Sequence, residues 1–487
     1  MIKRSQALTT LAIAAGYLIC AGVFVLAAQA HAATVQPGQP GTPANASTRD
    51  LAALGYTERE WVITGTANSY TEAGTWGADG RWAVKVKQAN QPYQTRVLAR
   101  YPTDPARFNG TVVVEWFNVT GFTDIEIDGA YMAEELLAQG YAWVGVSAQK
   151  AGLDGIKQAH PGRYDSLSIP NDNLSYDVFS DVARLLRQAD TPLLGGLQPR
   201  KLLAAGQSQS GLRLATYVNA LAPRERTFDA YLIHSRGSFP AGLNALLSAP
   251  LVARIRTDLS VPVFQLETEF DTGPALFARA RQPDTPLIRS WEVAGAAHID
   301  AYALSQMSAA QAAAGVSLTC AKPMNNLPFY RVEKAVLRHL QAWMTTGAVP
   351  PSAPVLSTTV AGTFQRDSVG NALGGVRLPE VEAPTFSYGL SNSPKSGTTG
   401  TTGTTSSSAG GLASLLGVMA CTFLGSATPL TPAQLAQLYS SQQAYIDRYT
   451  RAAQAAVAAG HLLPEDAEVG LREARARALV LGLPDRP

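Results

Sequence analysis

Six apolar runs limit what this chain can fold into: TVVVEW (111–116), YAWVGVSA (141–148), KLLAAG (201–206), DAYLIHS (229–235), VPVFQLET (261–268) and LIRSWEVAG (287–295). As a group they lack the strict apolar–polar alternation of a half-exposed strand, so they read as strands covered on both faces. The segments between them, such as AYMAEELLAQG (130–140) and SYDVFSDVARLLRQA (175–189), place apolar residues at helical spacing. Strands alternating with helices imply a mostly parallel sheet flanked by helices. PFYRVEKAVLRHLQAWMTTG (328–347) reads as a closing helix with Gly347 as its stop. Ahead of this unit, WVITGTA (61–67), RWAVKVKQ (81–88) and YQTRVLARYP (93–102) read as separate, half-exposed antiparallel strands. The expected class is therefore α/β, with a central sheet of about eight strands and a helical C-terminal extension.

The ends differ in character. Residues 1–32 combine Lys3 and Arg4 with a long apolar stretch and small residues at Ala28, Ala30 and Ala32, the pattern of a secretory signal peptide. Ile19 before Cys20 is too large for lipoprotein processing. Residues 33–50 carry Pro, Gly and small polar residues without periodicity and read as a flexible lead-in to a catalytic domain over 51–350. An extension over 351–487 follows, containing the low-complexity loop 395–411 and docked helices, one from Thr431 toward Gly460 and one from Pro464. No chemistry is expected of it. An exported chain meets an oxidising compartment, so Cys320 and Cys421, the two cysteines left after signal removal, are expected to form a disulfide. The formal charge of +2 gives no sign of a nucleic-acid partner, and no stable membrane partner is expected once the signal is cleaved. The final location would be the periplasm or the medium.

KLLAAGQSQSGLRLATYVNAL (201–221) carries the first chemical signal. A nucleophilic serine on an α/β sheet sits on a tight strand-to-helix turn between small residues. Gly206-Gln207-Ser208-Gln209-Ser210 has that form, with Ser210 in place of a final glycine, so Ser208 is the candidate nucleophile. A serine needs a histidine base, and the histidine an orienting carboxylate. His298 follows the last strand in WEVAGAAHIDAY (291–302), among small residues that leave room for its ring. Asp271 lies just past the strand in VPVFQLETEFDTG (261–273), with Glu269 as the alternative acid. The order serine, acid, histidine is that of an α/β-hydrolase site. The backbone N–H of Gln209 is one candidate oxyanion donor, and Asn118 or Val119 in FNVTGF (117–122) supplies the other.

At these residues the chain resembles the bacterial α/β-hydrolase family often called simply "alpha/beta hydrolase domain". The likeness is carried by VVVEWFNV, GYAWVGVSAQ, YDSLSIPNDNLSYDVFSDVARLLR, AAGQSQSGLRLATYVNA, IHSRG, WEVAGAAHIDAY and LGGVRLPEVEAPT. It spans nearly the whole mature chain from about Trp61. The resemblance implies a serine hydrolase acting on carboxylic esters, small or polymeric, and names no substrate. No zinc-binding His-Glu-x-x-His pattern, cysteine cluster or phosphate-binding glycine loop occurs, so neither cofactor nor metal is expected. A non-catalytic binding protein on the same fold, or an acyltransferase using the same serine, are the alternatives.

Overall fold

The computed structural model describes residues 33–244, 250–306, 319–359, 362–395 and 419–485. The expected signal peptide and nearly all of the low-complexity loop lie outside the described residues. Nine strands form one sheet: β1 (Thr34–Pro37), β2 (Tyr56–Glu72), β3 (Val84–Pro102), β4 (Thr111–Trp116), β5 (Ala142–Val146), β6 (Lys201–Gln207), β7 (Ala230–His234), β8 (Val263–Thr268) and β9 (Ile288–Val293). Their order is β1-β2-β3-β5-β4-β6-β7-β8-β9. β1 to β3 pair antiparallel, β3 meets β5 antiparallel, and all pairs from β5 to β9 are parallel. Every residue of β4, β5, β7 and β8 is buried, as strands covered by helices on both faces require.

Helices α1 (Asp128–Ala138), α2 (Lys150–Ala159), α3 (Ser175–Leu186), α4 (Gln209–Thr216) and α5 (Tyr330–Thr346) cover this sheet. Gly347, at φ 77°, ends α5 as expected. Two apolar clusters divide along the faces. One gathers α3 residues such as Val178 and Phe179 with Trp116 and Leu202; the other gathers α1 and α5 residues such as Met132 and Leu340 with Leu203 and Phe264.

Three expectations need correction. The RWAVKVKQ and YQTRVLARYP strands are one element, β3: Asn90 takes φ 57° and the ladder with β2 shifts register near Ala67 and Ser69, so the polar stretch between them is absorbed without a turn. The 33–50 segment is ordered. It contributes β1, and it supplies acceptors to two guanidinium groups on β3: Arg96 donates to Ala44 O and Asn45 Oδ1, and Arg100 to Asn45 O. Buried cations demand such partners, and the lead-in provides them. The C-terminal part is not merely docked: Leu356, Val376, Leu378 and Tyr388 share a core with the strands, and Val376 bridges Val293 at the end of β9.

A short antiparallel pair (Phe386–Gly389 with Ser426–Pro429) joins segments from either side of the loop and precedes helices α6 (Pro432–Leu438), α7 (Gln442–Ala458) and α8 (Pro464–Ala478). Thr431 caps α6, but the helix expected to continue to Gly460 restarts at α7, capped by Ser441. Cys320 and Cys421 are disulfide-bonded, with Cα atoms 5.6 Å apart, across 101 residues of sequence. No helix among the described residues is long and apolar enough to cross a membrane.

Candidate active site

β6 ends at Gln207 and α4 begins at Gln209, so Ser208 alone makes the turn. Its φ of 57° and ψ of −119° lie where L-residues pay roughly 1–3 kcal/mol. The surroundings enforce that conformation: the Ser208 N–H donates to His234 O on β7, and Leu212 N–H donates to Ser208 O. A Cβ on Gly206 would lie 3.0 Å from Ser210 O, and one on Gly211 would lie 2.6 Å from His234 O. Ser210 is fully buried in this contact, which leaves Ser208 as the serine lifted toward the surface.

Asp271 sits in the single helical turn Glu269–Thr272 after β8. Thr268 caps that turn reciprocally: Asp271 N–H donates to the Thr268 hydroxyl, while Thr268 N–H and Oγ–H donate to Asp271 Oδ2 at 3.1 and 2.6 Å. Oδ1 is thereby left for His298, whose Nδ1 is 2.6 Å away. Burial by itself raises the Asp271 carboxyl, but attraction and hydrogen bonding from His298, with the bond from Thr268, outweigh it and hold the group at about 2. An ionised Asp271 can only accept, so His298 Nδ1 carries the proton and Nε2 is free to accept from Ser208 Oγ–H at 2.7 Å.

The neighbouring carboxyls have other roles. Burial and the charge of Asp271 push Glu267 well above the usual range, with Arg236 opposing. Glu269, the alternative acid, is engaged elsewhere: it accepts from Gly295 N–H at 2.8 Å and from Arg366 at 2.7 Å, which fixes the loop carrying His298. Asn118 also needs correction as an oxyanion donor, because its N–H is spent on Ile125 O in a local bridge. Its side chain instead donates to Gln207 O. Among the described residues, the amides of Gln209 and Val119 make no backbone hydrogen bond.

The His298 ring is flanked by two aromatics the sequence reading did not single out. Phe270 lies 5.5 Å away and Phe423 4.8 Å away, and these two rings meet edge to face. Phe270 adjoins Asp271 in sequence and could have been noticed; Phe423 lies beyond the low-complexity stretch, where no local pattern points back to His298.

One group among the described residues has metal-ligand composition: Asp128, His234 and Glu333, with ligand atoms within 4.8 Å of one another. Burial and the charge of Asp128 push the Glu333 carboxyl well above the usual range, and His234 Nδ1 lies 2.8 Å from Asp128 Oδ1. The cluster meets the Ser208 turn at His234, whose backbone O accepts from Ser208 N–H. A cleft lined by Tyr56, Arg100, Glu126 and Trp143 contains none of Ser208, Asp271 or His298.

The family pattern for the alpha/beta hydrolase domain matches residues 28–472. The chain belongs to this alpha/beta hydrolase family. Solved structures similar to this hydrolase include a dienelactone hydrolase from Anabaena variabilis (14% identity, 51% of this chain and 95% of that one, TM-score 0.26). The esterase Est22 is similar at 11% identity (49% and 72%, TM-score 0.28), and an esterase from Rhizomucor miehei at 11% (59% and 85%, TM-score 0.31). Likeness this weak carries nothing about substrate. No curated protein sequence matches the chain.

Proposed function

We propose that this alpha/beta hydrolase is a serine hydrolase of carboxylic esters, working through an acyl-enzyme on Ser208. The observation that carries the reading is the unbroken line from Asp271 Oδ1 through His298 to Ser208 Oγ, at 2.6 and 2.7 Å, on a strained turn at the carboxyl end of β6. His298 Nε2 takes the hydroxyl proton as Ser208 Oγ bonds to the ester carbonyl carbon. The carbonyl oxygen becomes an oxyanion, received by the N–H groups of Gln209 and Val119. The C–O bond to the alcohol then breaks, and His298 returns the proton to the leaving alkoxide. Water, deprotonated by the same imidazole, attacks the acyl carbon; the bond to Ser208 Oγ then breaks, His298 returns the proton to Oγ, and the acid is released. Asp271 stays ionised throughout, holding the ring and balancing the imidazolium.

In this reading residues 51–350 carry the reaction, and residues 1–32 direct the chain to the periplasm or the medium. The Cys320–Cys421 disulfide is compatible with such export. The test is a fluorophosphonate probe on wild type and Ser208→Ala, with peptide mass spectrometry and assay of short p-nitrophenyl esters. Labelling at Ser208 with turnover abolished in the variant is expected; labelling that persists in the variant would move the nucleophile elsewhere. The absence of any labelling would leave a non-catalytic fold.

A further inference from the structure

Phe423 reaches His298 from 125 residues further along the chain, yet it is held there by several independent links. Ile299 N–H, next to the histidine, donates to Phe423 O at 3.1 Å, and Asn325 N–H donates to Leu424 O at 3.0 Å. Asn325 in turn donates through Nδ2 to Gly295 O, three residues before His298. Gly425 allows this approach: at φ 53°, a Cβ there would lie 2.6 Å from the Ala297 Cβ. The covalent link is the disulfide, which joins Cys421, two residues before Phe423, to Cys320, five residues before Asn325. Phe423 itself is only half-buried.

We infer that Phe423 is a positioning residue for His298, and that the Cys320–Cys421 disulfide adds to those hydrogen bonds the covalent restraint that fixes its ring. The inference rests on the serine-hydrolase reading. An imidazole bonded at both nitrogens can still tilt about the Asp271–Ser208 line, and the two aromatic rings set that tilt. Misplacement of a reacting group by about 1 Å costs up to about a hundredfold in rate. Because the Phe423 segment also pairs through Ser426–Pro429 with Phe386–Gly389, opening the disulfide loosens the ring without unfolding the sheet. The hydrolase would therefore reach full rate only once it is oxidised, with the same catalytic groups in place beforehand.

The experiment compares wild type, Phe423→Ala, Phe423→Leu, the double variant Cys320→Ser/Cys421→Ser, and the triple variant that adds Phe423→Ala. Circular dichroism checks folding, and fluorophosphonate labelling counts competent Ser208. The expected results on a p-nitrophenyl acetate assay are a fall in kcat of about ten- to a hundredfold for Phe423→Ala with KM nearly constant, and substantial recovery in Phe423→Leu. The disulfide-free variant should lose a similar factor, and the triple variant no more than Phe423→Ala alone, since both changes remove one interaction. Unchanged kcat in folded Phe423→Ala would overturn the role of the ring, and multiplicative losses in the triple variant would overturn the link to the disulfide. If wild-type Ser208 does not label, it is the serine-hydrolase reading that has failed.

Discussion

Ser208 and His298 lie 2.7 Å apart but are held by different kinds of structure. Ser208 is fixed within a dozen residues of sequence: strand β6, the glycines at 206 and 211, and the start of α4 define its position, with one backbone bond to β7. Asp271 is likewise set by its own cap, Thr268. His298 stands on a loop of small residues that cannot define a ring orientation alone. Its loop is tied by Glu269 and Asn325, Glu269 is tied by Arg366, and its ring is covered by Phe423. Ser208 is thus a local product of the sheet, whereas His298 depends on the C-terminal third of the chain.

That contrast can be broken at its strongest point first. Ser208→Ala should abolish ester turnover, by a factor on the order of 10⁶, while urea unfolding stays near wild type, because the loss is purely chemical. Asp271→Asn should lower kcat by about 10⁴, since an amide can present an N–H to Nδ1 and favour the wrong tautomer. Steady-state kinetics over a pH range would show the loss persisting at every pH. On the His298 side, Arg366→Ala strips the guanidinium from buried Glu269 and loosens the Gly295 loop. Arg366 is 34% exposed, so solvent screening limits the stability loss to about 1–2 kcal/mol in chemical denaturation, with a severalfold fall in kcat.

The smallest effect concerns acid. Asp271 is held at about 2 in the folded chain against an ordinary 3.8, so its contribution to stability is complete above about pH 4 and is lost as pH falls toward 2. A shift of that size amounts to about 2 kcal/mol. The stability difference between wild type and Asp271→Asn, followed by urea titration, should shrink over that window. A difference independent of pH would mean that Asp271 gains nothing from His298 in the folded state.

The same division explains what could be read from the sequence. The apolar runs from TVVVEW to LIRSWEVAG coincide with β4 to β9 to within a residue or two, because strands buried on both faces advertise themselves. Ser208, Asp271 and His298 were legible for a related reason, since each follows a recognisable strand in a fixed order. The Thr268–Asp271 cap was legible in principle as a Thr three residues before an acid, and would have separated Asp271 from Glu269. Asn118 failed because a local bridge consumed its amide, which no side-chain pattern reveals. Phe423, Arg366 and Asn325 act across long sequence separations, where only the folded chain brings them to the site. The ordered lead-in was missed because its role is to accept from Arg96 and Arg100 through backbone and amide oxygens, and composition is silent about that.

β1 has a further consequence, for solubility. It covers Trp61 to Thr64 of the seventeen-residue β2, the outermost long strand of the sheet. An uncovered strand edge is a template for pairing with another chain. Nearer its start β2 carries the exposed Arg59, a charge that discourages such pairing, and nearer its end Asn68 and Tyr70 bond to Asp177 of α3. The central stretch, with Trp61, Val62 and Ile63, has neither protection, and it is there that four residues of the lead-in lie down. Trimming the chain back to residue 38 would leave Ser208, Asp271 and His298 untouched and expose an adhesive edge, so such a truncated protein should aggregate before it loses ester turnover.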